Sequence, residues 1–168
     1  PSSSSAASDV YKRQHLPFVT IDPHDAKDFD DAVCLIEENG VETLWVAIAD
    51  VANYVQKDTR LDAAARARAT SVYLPHTVLP MLPPRLADDL CSLRAKVDRL
   101  AMVIAMELDS NREIVNSNAY EAVIRVQENL AYEDALGEER FDAMFKLAAK
   151  WQAKEVKLNI ANAEMRPR

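Results

Sequence analysis

The stretch "TIDPHDAKDFDDAV" at residues 20–33 places five aspartates in ten positions: Asp22, Asp25, Asp28, Asp30 and Asp31. Like charges a few ångströms apart repel, and the repulsion grows as they leave water. Any fold that gathers this stretch must offer it a counter-charge or lose stability. The flanks say where it lies. "FVTID" at 18–22 reads as a short strand ending on the first aspartate. "AVCLIEENGVETLWVAIADV" at 32–51 reads as two strands joined at Asn39-Gly40, a dipeptide suited to the positive φ angles of a tight hairpin turn. The aspartates therefore fall in a loop held between strands, the usual setting for a functional site.

Asp22, Asp28, Asp30 and Asp31 follow the spacing D-x5-D-x-D-D. Carboxylates are hard oxygen donors suited to Mg²⁺ or Mn²⁺, ions that keep some waters and accept phosphate oxygens. A pair of such ions can activate a water and stabilise the leaving oxygen of a phosphodiester. Three other readings stand beside this one. A solvated Asp-rich turn needs no ligand. An EF-hand calcium loop requires Gly at its sixth position and Glu at its twelfth, and no start within this loop provides both. A phosphatase-type nucleophile would use Asp28 and Asp30, but the flanking carboxylates suit a metal better than covalent chemistry. From spacing alone the expectation is a divalent-metal site acting on phosphate.

At 168 residues the chain can bury one sizeable core. A net charge of −7 argues against gripping nucleic acid by bulk electrostatics, although acidic metal sites depress the charge of nuclease domains. No apolar run approaches the roughly 20 residues needed to cross a bilayer, so no membrane partner is expected. Cys34 and Cys91 have no CxxC partner and read as reduced structural thiols of a cytoplasmic, monomeric protein. His15, His24 and His76 are too isolated for a zinc pattern. The opening "PSSSSAASDVYKRQ" is low in complexity, and "DVYKRQ" resembles a translated adapter, so residues 1–14 are expected to lie outside a domain that runs over 15–168.

Further along, Ala- and Arg-rich residues 59–70 are expected to be helical, with Asp58-Thr59 as caps. "SVYL" at 71–74 is β-prone. Pro75, Pro80, Pro83 and Pro84 make the next stretch an extended, stiff connector, and Pro84 is placed to open a short helix. Residues 99–109 and a run ending near Val126 read as strands. Phe141, Met144, Phe145, Ala148 and Trp151 recur at helical spacing, the core stripe of a long amphipathic helix. Together these elements describe an α/β domain with a mixed sheet.

"TIDPHDAKDFDDAV", "VAIADVANYV", "LDAAARARATSVYLP" and "PMLPPRLADDLCSLRAKVDRLAM" occur in this order. In that order they resemble the catalytic RNB domain of the ribonuclease II and ribonuclease R family, in register from about residue 17 to 133. The resemblance implies a β core flanked by helices and a channel for single-stranded RNA. It also implies processive 3′-to-5′ hydrolysis to nucleoside 5′-monophosphates with Mg²⁺, or Mn²⁺, as cofactor. The family's four active-site aspartates fall on Asp22, Asp28, Asp30 and Asp31. Asp22 and Asp31 are expected as primary metal ligands, with Asp28 and Asp30 completing a second site or orienting water. Asp25 lies outside the four and is expected to be a spectator. Tyr73 matches an aromatic residue that clamps terminal RNA bases, and Tyr132 matches one lining the RNA path, for which a core ring with a satisfied hydroxyl is an equally good reading.

The family's later catalytic arginine has no counterpart before residue 168, nor are accessory RNA-binding modules visible. The sequence is accordingly expected to be the N-terminal part of the catalytic domain, able to bind metal but weak in cleavage by itself. The rival expectation is an RNB-like RNA-binding or regulatory protein without catalysis. Presence of all four aspartates disfavours it. Arg94 and Arg99 are near enough to acids that surface ion pairs are as good a reading as phosphate contacts.

Overall fold

A computed structural model describes residues 11–164, and their side chains as far as residue 154. Its centre is a mixed seven-stranded sheet in the order β1-β8-β7-β4-β3-β2-β9. These strands are β1 (Tyr11–Lys12), β2 (Val19–Asp22), β3 (Asp31–Glu38), β4 (Val41–Ala49), β7 (Asp98–Leu108), β8 (Ile114–Arg125) and β9 (Glu128–Ala131). Most neighbours are antiparallel, whereas β1 runs parallel to β8 and β9 parallel to β2.

The hairpin between β3 and β4 turns where expected. Asn39 and Gly40 have φ of 54° and 79°, the two left-handed conformations such a turn requires. A second constraint is less local. β8 and β9 stand near opposite ends of the strand order, yet Val126 and Gln127 alone separate them in sequence. So short a link spans at most roughly 10 Å, so the sheet must curl until its far strands approach. Backbone bonds from Gln127 N–H to the Phe18 carbonyl (2.8 Å) and from Lys96 N–H to the Val126 carbonyl (2.8 Å) hold that closure.

The inside of the curl explains how so tight a bend is filled. Ala49, Ala101 and Ala122 lie side by side across β4, β7 and β8, and Ala32 and Ala47 face each other across β3 and β4. All are buried, with Phe18, Leu93, Val103, Ile124 and Val126 supplying the bulk. Small residues beside large ones suit the taper of a small closed sheet.

On the outer face lies α3 (Asp142–Glu164), with Leu147 buried against Leu44 and Leu108. Phe141, Met144, Phe145 and Trp151 also pack inward as their spacing predicts. Ala148 does not; it is exposed, and Leu147, one position earlier, takes the central place. The short helix α1 (Arg60–Arg68) starts at Thr59, whose hydroxyl caps Asp62 N–H at 3.3 Å, and a single turn, α2 (Tyr132–Ala135), follows β9 directly.

Two expectations need correction. Residues 11–14, expected outside the domain, join it: Tyr11–Lys12 pairs with Ala122 and Val123. Arg13 then donates to the Tyr120 hydroxyl at 3.1 Å and lies 5.3 Å from the Tyr11 and Tyr120 ring centroids. The reason is that β8 otherwise has an unpaired edge, which accepts two residues of almost any sequence. Residues 1–10 lie outside the described residues. The proline-rich connector is also more regular than expected. β5 (Val72–Leu74) and β6 (Thr77–Leu79) pair as a separate two-stranded ribbon, kept short by Pro75 and Pro80. After Pro84, Leu86–Leu90 forms a single wide turn closed by Cys91 N–H to the Leu86 carbonyl, five residues back, at 2.8 Å. Cys34 and Cys91 are free and buried, and burial pushes the Cys34 thiol up to about 12. No described helix is long and apolar enough to cross a membrane.

Candidate active site

Asp22 is the last residue of β2 and Asp31 the first of β3, so both are anchored on sheet strands. The loop between them carries Asp28 and Asp30. It is held at several points by backbone. Ala49 N–H donates to the Asp30 carbonyl (2.9 Å), Leu93 N–H to the Phe29 carbonyl (2.8 Å) and Ala26 N–H to the Pro23 carbonyl (3.0 Å). The buried polar side chains among the described residues are Thr20 and Ser92, and both serve this region. Ser92 Oγ donates to the Lys27 carbonyl at 2.7 Å and accepts from Phe29 N–H at 3.1 Å. Thr20 bonds the Asp22 carboxylate and accepts from Asn129 Nδ2 at 2.9 Å. Asn129 in turn donates to the Leu93 carbonyl (3.1 Å) and accepts from Ala95 N–H (2.8 Å), tying β9 to the segment that holds the loop.

The electrostatics match the crowding seen in the sequence. Partial burial raises the Asp22 carboxyl above the ordinary range, the bond from Thr20 opposes this, and the charges of Asp31 and Asp28 raise it further. Asp30 is exposed as a residue, yet its carboxyl is also raised, first by desolvation and then by Asp28, Asp31 and Asp22. The four aspartates thus form one coupled set. Asp22 Oδ2 is buried with no hydrogen-bond partner, an acceptor left wanting a cation or donor.

A cavity of about 650 Å³ opens beside the loop, lined by Asp22, Asp28, Asp30, Tyr73, Pro84 and Asp88 among others. Asp31 does not line it, although its charge acts on both Asp22 and Asp30. Asp25 reaches the rim, where it is exposed and 3.8 Å from an equally exposed His24. Among the described residues, no three His, Cys, Asp or Glu side chains are gathered round one ligation point. The donor set nevertheless fits a hard divalent cation. It consists of carboxylate oxygens, two of them are raised by burial and like charge, and one oxygen is orphaned.

Tyr73, on β5, reaches across 45 residues of sequence to donate its hydroxyl to Asp28 Oδ2 at 3.0 Å, and this bond holds its phenol above the ordinary value. Its residue remains 67% exposed, leaving a ring face at the cavity. Tyr132 follows Ala131, the partner of Asp22 in the β2–β9 pairing, and is 50% exposed, but it does not line the same cavity. Arg99 is not free for phosphate. It donates to the Ser92 carbonyl (3.0 Å) and to Asp89 (3.1 Å), with only 13% of its side chain exposed. Arg94 makes a looser exposed pair with Asp89 at 3.8 Å. Sequence reasoning missed Ser92, Thr20 and Asn129; for Thr20 and Ser92 a polar residue inside a short apolar run was the available signal, whereas Asn129, beside Gln127 and Glu128, carried none.

The RNB domain family model matches residues 11–151. Ribonuclease R of Escherichia coli K12 is 52% identical over 118 residues, covering 70% of this chain and 14% of that protein. Among solved structures, Mycoplasma genitalium RNase R in complex with double-stranded RNA matches with a TM-score of 0.71 and 36% identity, over 74% of this chain and 22% of that one. Yeast Ssd1, a pseudonuclease, matches with a TM-score of 0.69 over 80% of this chain and 17% of that one, but at 20% identity it shows the fold alone. The chain spans less than a quarter of the length of each of these relatives. With the family model matching over most of its length, and a curled mixed sheet shared with ribonuclease R, the chain belongs to the RNB domain family.

Proposed function

We propose that this chain contributes the aspartate half of a 3′-to-5′ exoribonuclease site that hydrolyses single-stranded RNA to nucleoside 5′-monophosphates in the cytoplasm. The observation that carries the reading is the coupled carboxylate set with its orphaned Asp22 Oδ2 at a cavity mouth. Asp22, Asp28, Asp30 and Asp31 would hold Mg²⁺ or Mn²⁺. When bound, such ions supply charge stabilisation and an activated water at the scissile phosphate. The protein's own residues do the rest. Thr20 and Asn129 orient Asp22, Ser92 and Tyr73 bracket Asp28, and the rigid ends of β2 and β3 fix the spacing across the loop. The Tyr73 ring offers a π face to a terminal base, and Tyr132 offers another along the path. Stacking is tolerant of sequence and contributes roughly 1–3 kcal/mol per base, which suits degradation of mixed RNA.

The test is incubation of the full-length gene product, and separately of the 168-residue chain, with 5′-labelled single-stranded RNA. Stepwise shortening with Mg²⁺ or Mn²⁺ is expected from the former and little from the latter. RNA binding without shortening would instead support a catalytically silent relative. Ca²⁺ supporting hydrolysis as well as Mg²⁺ would contradict the metal assignment. Tyr73→Ala is expected to weaken binding of the RNA end by a factor of roughly 5 to 150, the equivalent of one lost stack. Tyr73→Phe keeps the ring and should bind RNA within about twofold of the parent. Filter binding at fixed salt distinguishes them.

A further inference from the structure

We propose that Ser92 is a positioning residue for Asp28, an inference that rests on Asp28 belonging to the catalytic carboxylate set. The two peptide groups on either side of Asp28 are gripped by one oxygen: Ser92 Oγ donates to the carbonyl of Lys27 and accepts from the N–H of Phe29. The next residue, Leu93, bonds the Phe29 carbonyl. Fixing both flanking peptides fixes the backbone angles of Asp28 and hence the direction in which its carboxyl leaves the chain.

Ser92 is suited to this because it is fully buried and its own segment is rigid. Arg99 holds the Ser92 carbonyl, Ser92 N–H bonds the Asp89 carbonyl at 3.0 Å, and Asn129 holds the Leu93 carbonyl. Water cannot replace the hydroxyl at a fully buried position without opening the fold. Among the ordinary side chains of this size, a hydroxyl alone donates and accepts strongly through one atom. By contrast, the Tyr73 hydroxyl, which bonds the Asp28 carboxylate itself, comes from an exposed ring on a short ribbon. Ser92 is therefore the buried side of the bracket and Tyr73 the exposed side.

The test compares Ser92→Ala, Ser92→Cys and Leu147→Ala in the full-length gene product. Leu147 is buried between α3 and the sheet, remote from the aspartate loop, and its truncation serves as a purely structural control. A misplacement near 1 Å can lower a rate by about 100-fold. Ser92→Ala is expected to lower kcat by roughly 10- to 100-fold and to raise the Mn²⁺ concentration for half-saturation, read by calorimetry without RNA. RNA affinity in EDTA should stay within about twofold, and Ser92→Cys, a weaker donor and acceptor, should fall between. Amide exchange over residues 27–30 should rise in Ser92→Ala and not in Leu147→Ala.

If kcat, Mn²⁺ half-saturation and exchange in Ser92→Ala match the parent, or if Leu147→Ala shifts them equally, Ser92 has no positioning role. Should Ser92→Ala not fold, the same comparison is made on Ser92→Cys. Asp28→Asn in parallel separates the two ideas: full activity there removes Asp28 from the catalytic set, whatever Ser92 does.

Discussion

Asp22→Asn is expected to lower RNA hydrolysis by the full-length gene product by roughly 100- to 1,000-fold, the usual effect of removing one preorganised electrostatic group from a catalytic site. The substitution is nearly isosteric and removes a charge at the one buried side-chain acceptor without a partner among the described residues. The same change should make the metal-free domain more stable, because Asp22 is strained by its surroundings. Burial, then the charges of Asp31 and Asp28, raise its carboxyl above 3.8 despite the opposing bond from Thr20. A carboxyl whose folded value is raised disfavours the fold while ionised, and that penalty is relieved as pH falls through the raised value toward the unfolded one. In EDTA, the parent should therefore gain stability relative to Asp22→Asn over that mildly acidic window, and the variant should unfold at the higher temperature near neutrality. Thermal melts at two pH values read both effects. Equal activity in the two proteins would remove Asp22 from the site.

Phe18→Ala is expected to destabilise the fold by about 3–5 kcal/mol, the range for deleting a buried aromatic ring. That is a large share of the roughly 5–15 kcal/mol available to a domain. Phe18 is fully buried in an interior where the strands present Ala32, Ala47, Ala49, Ala101 and Ala122 beside the already packed Leu93, Val103, Ile124 and Val126. Methyl side chains on rigid strands cannot swing in to fill the hole, so the cavity should persist. The residue also starts the path to the site, since β2 follows it directly and ends on Asp22. Urea unfolding followed by the fluorescence of Trp45 and Trp151 measures the loss. A midpoint unchanged from the parent would show that the interior can collapse around the missing ring.

Much of this domain is legible one segment at a time. Strand periodicity located β2, β3, β4, β7 and β8, Asn39-Gly40 located their tightest turn, and the aromatic spacing located α3. The aspartate loop was legible too, because its charge density has no ordinary structural reason. What was not legible depends on which distant edges meet. Nothing local in Arg125 to Glu128 states that two residues bridge strands from opposite ends of the sheet order. Thr20, Ser92 and Asn129 gain their meaning only once that closure brings β2, β9 and the segment after Cys91 together. Likewise Tyr73 meets Asp28 because the proline-bounded ribbon folds back over the loop, a contact between residues far apart in sequence. The misplacement of Ala148 for Leu147 is simpler: one-residue steps along a helix differ little in angle when both neighbours are apolar.

The alanines inside the curled sheet carry a consequence for how this family can diverge. Ala49, Ala101 and Ala122 set the distance between three neighbouring strands and the opposite wall. A larger residue at any of them would push the wall outward, and β2, with Asp22 at its tip, would follow. Sequence change at these remote positions would thereby reach the aspartate loop through the sheet, while the overpacking itself would cost about 1–3 kcal/mol of stability.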